Sequence, residues 1–199
     1  MKHLWLFTLL FSALVFSQTD CDVLTENNFY QRELNDTYLN PETSILEEAD
    51  FENFAGLNFF PIDPEYRVTA LFIRTPDEKP FLMPTTTARL PEYVKYGEVH
   101  FTIKETMLKL DVFQNTSPKE GYEKYLFLPL TDLTSGNGSY GGGRYLDLQT
   151  PENDTIILDF NQLYNPYCAY NKKYSCPIPP EQNDLPIRME AGVKDYVRQ

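Results

Sequence analysis

The stretch GEVHFTIKETMLKLDVF, residues 97–113, contains two runs in which apolar and polar residues alternate. The apolar positions are Val99, Phe101 and Ile103 in the first run, and Leu108, Leu110 and Val112 in the second. This alternation is typical of antiparallel strands with one buried face, so the stretch predicts a β-hairpin. The connection that begins at Lys104 lacks the Asn-Gly or Asp-Gly signal of a tight turn, which leaves the register of the hairpin open.

Short β-prone runs continue on both sides of this hairpin. They are YRVTALFIRT (66–75), EKYLFLPL (123–130), GRYLDLQ (143–149) and TIILDFN (155–161), and LPIRMEAGVKDY (185–196) adds one last strand. Regular spacing without long helices between the runs predicts a mainly β domain. Its architecture would be an antiparallel β-sandwich or a partly open β-barrel.

The polar segment before these strands predicts short N-terminal helices, which makes the fold class mainly β with α structure at its edge. Phe29, Leu34 and Tyr38 would share one face of a first helix, because their spacings are near 3.6 residues. Thr43 or Ser44 would cap a second helix.

Residues 1–17 have the pattern of a secretory signal peptide. A basic start precedes an apolar run of thirteen residues, which is shorter than the about 20 that span a bilayer. Small residues at the expected positions place cleavage between Ser17 and Gln18. We therefore predict a leader at 1–17 and one exported domain at 18–199, periplasmic or extracellular, with no later membrane span. An uncleaved anchor is the alternative.

The composition is acidic, with 29 Asp and Glu residues against 17 Lys and Arg and a formal net charge of −12. Such a surface repels phosphate backbones, so we exclude nucleic acid as a partner. Aromatic residues make up 15% of the chain, too many for a disordered acidic tail. We expect a folded monomer.

Histidine and cysteine limit the catalytic classes. His100 is the only histidine beyond the predicted leader, and the chain has no Gly-x-Ser-x-Gly motif, which argues against a serine hydrolase. Zinc sites use several histidines or cysteines at short spacing, and such a cluster is absent from the sequence. We expect neither a metal nor a cofactor.

Cys168 and Cys176 flank the short segment CAYNKKYSC, and we predict a disulfide between them in an oxidising compartment. The bridge would close a small loop and stabilise the protein by roughly 2–3 kcal/mol. The sequence leaves the other pairings with Cys21 open. Cys21 would otherwise be a spare thiol, or a lipidation site just beyond the apolar run.

The stretch TSGNGSYGGGRYLDL, residues 134–148, is rich in glycine. It is not a nucleotide loop, because a strand pattern follows the glycines where phosphate-binding loops have a helix. Gly142 and its neighbours would form a wide turn, or would clear space beside Arg144. Arg144 could bind a carboxylate or sulfate bidentately, or pair with Asp147 or Asp159 as a structural bridge.

Polar and aromatic residues concentrate after the last two long strand patterns. Asp147, Asp159 and Asn161 could hold calcium, or two of these carboxylates could serve in acid–base chemistry. Tyrosine and asparagine near the predicted disulfide would suit a sugar or another polar ring, although packing around a bridge is the simpler reading. The candidate ligand-binding residues are Arg144, Tyr140, Gly142, Asp147, Asp159, Asn161, Tyr164, Asn165 and Tyr170.

Two long motifs resemble a bacterial family of uncharacterised proteins, domain of unknown function 1684. They are YLFLPLTDLTSGNGSYGGGRYLDL (125–148) and LDFNQLYNPYCAYNKKYSCPIPPEQNDLPIRMEAGVKDY (158–196), with weaker likeness at 54–68 and 83–97. The positions that match the family pattern are Gly141, Gly142, Gly143, Arg144, Tyr145, Asp147, Asp159, Asn161, Tyr164, Asn165, Pro166, Cys168, Cys176, Pro177, Pro179, Pro180 and Asn183. The resemblance implies an exported prokaryotic protein and assigns no activity. A Trp-Leu segment frequent in the family is missing here, so a ligand of relatives need not be shared.

Three hypotheses for function follow. The first is a binding module of the cell envelope for a small polar or anionic ligand, held beside Arg144. The second is a hydrolase that uses Asp147, Asp159 and Arg144. The third is a structural or interaction protein with no ligand pocket.

Overall fold

The computed structural model describes the backbone of residues 4–196 and the side chains of residues 20–196. Two helices come first, α1 (Leu4–Leu39) and α2 (Glu48–Phe51). The strands follow as β1 (Arg67–Arg74), β2 (Phe81–Leu82), β3 (Glu92–Ile103), β4 (Thr106–Asn115), β5 (Tyr125–Asp132), β6 (Arg144–Gln149), β7 (Thr155–Asp159) and β8 (Asp184–Leu185).

The strands form one sheet in the order β6-β5-β4-β3-β1-β7. All neighbours along this path are antiparallel, while β2 pairs with β3 and β8 runs parallel to β5. The sheet curls into a half-barrel, which confirms the prediction of a mainly β fold and selects the open barrel over the sandwich. β6 and β7 are the two edge strands of this order. An isolated antiparallel bridge joins Tyr145 of β6 to Tyr164, which follows β7 in the chain.

The predicted hairpin is the central pair of the sheet. β3 and β4 pair over their full length, with Ile103 opposite Thr106, so that Lys104 and Glu105 form a two-residue turn. Both turn residues have positive φ, 47° and 67°, as a type I′ turn requires. Strand pairing therefore fixes the register that the sequence left open, and it imposes on the two turn residues a conformation that they rarely adopt.

The two faces of β5 and β6 carry different clusters, because side chains alternate along a strand. Leucines on one face pack into the barrel core, and they are Leu126, Leu128, Leu130, Leu146 and Leu148. Phe127 and Tyr145 on the opposite face belong to a separate aromatic cluster. Asp147 lies directly opposite Phe127 in the register, so it shares that second face.

The N-terminal helices differ from the prediction. One continuous helix runs to Leu39, and the side chain of Phe29 on it is 56% exposed, whereas Val23 and Tyr38 are buried. The predicted face is confirmed for Leu34 and Tyr38, which pack into one core cluster, and is wrong for Phe29; the polar Asn27 lies on the buried face instead. The predicted caps were also wrong, since α2 begins after Glu47 and has no side-chain cap.

The predicted strand at 185–196 was wrong over most of its length. Only β8 lies at its start, and the rest of the segment crosses the fold with single bridges such as Phe59 to Val193. Its carbonyl groups bond to a buried arginine instead of a neighbouring strand. The predicted leader, 1–17, lies outside the described side chains and stays a prediction. Within the described part, none of the helices combines the length and apolarity needed to cross a membrane.

Candidate functional site: a tyrosine-lined cleft

The glycine-rich loop turns the chain tightly against β5, close to Leu130. Gly143 has φ +87°, and a Cβ there would lie 2.5 Å from the carbonyl oxygen of Leu130. A side chain at this position would therefore strain the turn and also collide with backbone. The loop brings the chain into β6 and buries Arg144 at its first residue.

Arg144 is fully buried and bonded to the protein itself. Its guanidinium donates to Asp132 Oδ2 at 2.9 Å, to the Met189 carbonyl at 2.7 Å and to the Ala191 carbonyl. Burial lowers the pKa of Arg144, and the Asp132 charge opposes that shift. The structure thus places Arg144 in a buried ion pair, and its partner is neither of the carboxylates that the sequence suggested.

Asp159 and Asn161 hold the backbone together beyond β7. Asp159 accepts hydrogen bonds from Asn27 Nδ2 at 2.8 Å and from the Asn161 backbone and side-chain amides at 3.1 and 2.9 Å. Asn161 in turn bonds both the amide and the carbonyl of Asp63, each at 3.0 Å. The structure therefore ties α1 and two loops together at this point, and it does not bring Asp159 and Arg144 to Asp147. Within residues 20–196, no group of three or more His, Cys, Asp or Glu is placed to hold a metal.

Asn165 and Tyr170 are also buried among the protein's own groups. Asn165 Nδ2 donates to the Tyr170 hydroxyl at 3.2 Å and to the Lys194 carbonyl at 2.9 Å. The Tyr170 ring meets the ring of Tyr38 edge-on at 4.9 Å between centroids. These contacts fix the end of α1 against the 160s segment.

Tyr140 and Gly142 lie in the glycine-rich loop beside the cysteines. The Tyr140 hydroxyl is 4.0 Å from Cys168 Sγ, and burial raises its pKa to about 12. A Cβ on Gly142 would come within 2.5 Å of the Tyr140 ring, so the ring packs flat against the glycine. Neither residue lines the cleft described next.

A cleft of about 470 Å³ lies on the aromatic face of β5 and β6. Half of its described lining residues are tyrosines, and the lining comes from α1, from the sheet, from the segment 164–177 and from the loop that carries Arg89. The lining residues are Tyr30, Leu34, Tyr38, Arg89, Tyr93, Tyr125, Phe127, Tyr145, Asp147, Tyr164, Pro166, Tyr167, Tyr174, Ser175, Cys176 and Pro177. The volume is within the range of small-molecule sites, roughly 300–1,000 Å³. Of the predicted ligand-binding residues, the structure brings Asp147 and Tyr164 together here.

Asp147 is the polar centre of this cleft. Its Oδ1 accepts hydrogen bonds from the hydroxyls of Tyr125 at 2.7 Å and Tyr164 at 2.6 Å. The side chain is exposed, and Oδ2 accepts no hydrogen bond from the residues that the structure describes. Two tyrosines therefore orient the carboxylate and leave its second oxygen available.

The aromatic walls are joined ring to ring. Phe127 meets Tyr145 edge-on at 4.7 Å, Tyr145 meets Tyr164 at 5.8 Å and 90°, and Tyr93 contacts Phe127 at 5.8 Å. Tilted and edge-on pairs at these distances are the favoured aromatic geometries, so the walls are held firmly without a ligand. The site is preorganised.

The rim of the cleft carries Arg89 and the cysteine segment. Arg89 donates to the Ser175 carbonyl at 2.8 Å and to the Ser175 hydroxyl at 3.2 Å. The structure records both Cys168 and Cys176 as free thiols, and the Cys168 amide donates to Cys176 Sγ at 3.1 Å. A hydrogen bond from Cys176 lowers the pKa of the Cys168 thiol to about 6. The predicted disulfide partners are thus neighbours, and their pairing stays a prediction.

The sequence reasoning missed most of the tyrosines. Two signals could have found them: Tyr125 and Phe127 alternate on β5, and Tyr30, Leu34 and Tyr38 recur at four-residue spacing on α1. The first was hidden by a continuous apolar run, and the second by the choice of Phe29 instead of Tyr30 as the first member of the helix face. Tyr93 lies near the start of β3, two strands away from β5 in the sheet, so its contact with Phe127 is a long-range one that no local pattern shows.

Comparison with known proteins identifies the family. Residues 52–194 match the family described as "Protein of unknown function (DUF1684)". The chain belongs to the DUF1684 family. This confirms the resemblance drawn from the two long motifs, apart from its restriction to bacteria, which stays an expectation.

A solved structure is similar to this chain in both fold and sequence. The solution NMR structure of an uncharacterized protein from Haloarcula marismortui is 31% identical to this DUF1684 chain, with a TM-score of 0.68. The match covers 87% of this chain and 94% of the other. No curated protein matches the sequence.

Proposed function

We propose that this DUF1684 protein is an exported, monomeric binding module that holds a small polar ligand in the tyrosine-lined cleft. The carrying observation is Asp147, an exposed carboxylate set in an aromatic pocket with one oxygen held by two tyrosine hydroxyls. A small number of precisely placed polar groups within apolar walls is typical of ligand sites. The leader pattern at 1–17 supports export, and the acidic composition supports solubility outside the cytoplasm.

The buried position of Arg144 moves the proposed site away from the glycine-rich loop. Its guanidinium donates to Asp132 and to backbone carbonyls, so the structure gives no support to the hypothesis that Arg144 binds an anionic ligand. The rival hydrolase loses its constellation for the same reason, because Asp159 and Arg144 are absent from the cleft lining.

A thermal-shift panel of sugars, amino acids, amines and organic acids tests this function. A ligand at one hundred times its dissociation constant contributes about 2.7 kcal/mol, which raises the melting temperature by several degrees. The shift should disappear in Asp147→Asn. Asp184→Asn is the matched control, because Asp184 is also an exposed carboxylate that accepts a hydroxyl hydrogen bond, from Thr131 at 2.7 Å, but lies outside the cleft. Equal loss in both variants, or no stabilising compound at all, would reject the cleft as a binding site.

We also propose that Cys168 and Cys176 are bridged in the exported protein. Their proximity, with a 3.1 Å contact from the Cys168 amide to Cys176 Sγ, supports this pairing, and an oxidising compartment would favour it. Peptide mapping of the protein purified from the medium or periplasm, without reductant, should recover the two cysteines in one linked peptide. Recovery of both as alkylated thiols would contradict the pairing.

A further inference from the structure

Four of the tyrosine hydroxyl groups around the cleft already act as donors within the protein. Tyr125 and Tyr164 donate to Asp147, Tyr30 donates to a backbone carbonyl at 2.9 Å, and Tyr145 donates to another backbone carbonyl. A phenol has one proton but can also accept through its oxygen. A ligand in the cleft would therefore meet oxygen acceptors and ring faces more than hydrogen-bond donors.

The negative charge in the cleft lacks a partner. Asp147 is the one carboxylate among the described lining residues, and it forms no ion pair with a described Lys, Arg or His. Arg89, the cation on the same lining, directs its donors to Ser175. An open carboxylate beside partly desolvated walls attracts a positive charge more strongly than one in bulk water.

The aromatic walls add to this preference. Nine aromatic side chains are among the described lining residues, and the face of an aromatic ring is the negative end of its quadrupole. Burial and then the Asp147 charge raise the pKa of Tyr30, Tyr125 and Tyr164, so these phenols stay neutral around the carboxylate. Carboxylate and rings together favour a cation beside Asp147.

We propose that the cleft binds a small organic cation, whose ammonium group lies against the Asp147 carboxylate and the faces of the surrounding tyrosines. This inference rests on the proposed function of the cleft and names its ligand class. A carbohydrate fits less well, because sugar hydroxyls need donors as well as acceptors, and four of the eight lining tyrosines already donate their hydroxyl protons to the protein. The volume of about 470 Å³ leaves room for substituents on the ammonium group.

Choline and neohexanol, its neutral carbon isostere, test the charge directly because they have nearly the same shape. Titration followed by calorimetry should give choline at least about tenfold tighter binding than neohexanol, the least that a cation–π contact and an ion pair together should supply. Asp147→Asn should reduce this preference to the part that the aromatic rings supply alone. Tyr164→Phe should keep it, because that variant retains both the ring and the carboxylate charge. Asp184→Asn should bind both compounds as the unmodified protein does.

Equal affinities for choline and neohexanol, or a preference unchanged in Asp147→Asn, would overturn the assignment of a cation held at Asp147. The two proposals fail separately. If a sugar or an organic acid stabilises the protein through Asp147 while choline does not bind, the cleft is a binding site and the ligand class is wrong. If no compound of any class binds, both proposals fall.

Discussion

Replacing Arg144 by alanine should lower the free energy of unfolding by about 3–5 kcal/mol, the usual cost of removing one partner from a buried ion pair. The guanidinium makes hydrogen bonds to the Asp132 carboxylate, the Thr134 hydroxyl, and carbonyls including that of Met189, all in a fully buried site. Alanine would leave the Asp132 charge without its counter-ion and at least one carbonyl without a donor. For a chain of this length that loss lowers the melting temperature by about 6–20 °C.

Arg188→Ala is the matched control for this measurement. Arg188 also makes three side-chain hydrogen bonds nearby, to Glu190 at 2.9 Å, the Leu133 carbonyl at 3.0 Å and the Asn137 carbonyl at 3.1 Å. Its side chain is 41% exposed, so water replaces those bonds and the expected cost is at most about 1 kcal/mol. Urea unfolding followed by circular dichroism gives both values.

Two outcomes would refute the reasoning. Equal losses in Arg144→Ala and Arg188→Ala would mean that burial of the pair contributes nothing, and a ligand role for Arg144 would return. If Arg144→Ala fails to fold, Arg144→Lys serves instead, because its ammonium can still pair with Asp132 but cannot reach all the carbonyls. That variant should still lose more stability than Arg188→Ala, and a stability equal to that of the unmodified protein would contradict the structural role.

Two further predictions concern the sheet. A hydrogen bond from Lys95 lowers the pKa of Glu98 from 4.5 to about 2, so the contribution of Glu98 is complete above pH 4.5 and is lost as pH falls towards 2. Glu98→Gln should therefore be less stable by about 1–2 kcal/mol at pH 7, discounted for partial exposure, and the gap should close in acid; a gap constant with pH would contradict this. Changing Lys104-Glu105 to Asn-Gly should stabilise the hairpin by about 1 kcal/mol, since both residues have positive φ, and a fall in melting temperature would show that the present side chains matter more.

Strand alternation could be predicted from the sequence because it is local. Val99, Phe101 and Ile103 alternate with polar residues, and all three are buried in the barrel core. The turn at Lys104 could not be predicted from the sequence, because strand pairing imposes a conformation that its residues disfavour. The burial of Asn27 in place of Phe29 could not be predicted for a similar reason, since Asn27 bonds to Asp159, 132 positions further along the chain.

The candidate site shows which features of a binding site can be predicted from the sequence and which cannot. Arg144 and Asp147 lie three residues apart and look equally functional, yet one starts β6 in a buried ion pair and the other opens into a cleft. Strand alternation puts the side chains of Arg144 and Asp147 on opposite faces of β6, and this much can be predicted from the sequence. Which face is covered by the 185–196 segment and which by the tyrosines depends on long-range packing, and no local pattern encodes that.

The cleft is assembled from two parts of the chain, and only one of them lies within the residues that match the family. Asp147, Tyr125 and Tyr164 lie within the matched residues 52–194, whereas the wall formed by Tyr30 and other α1 side chains lies before them. The charge and its orienting hydroxyls are thus built by the matched domain, while α1 narrows the space around them. A bound cation would owe its ammonium contacts to the first part. The size and shape of its substituents would be read by the second, so α1 is where ligand preference can change without loss of the charged centre.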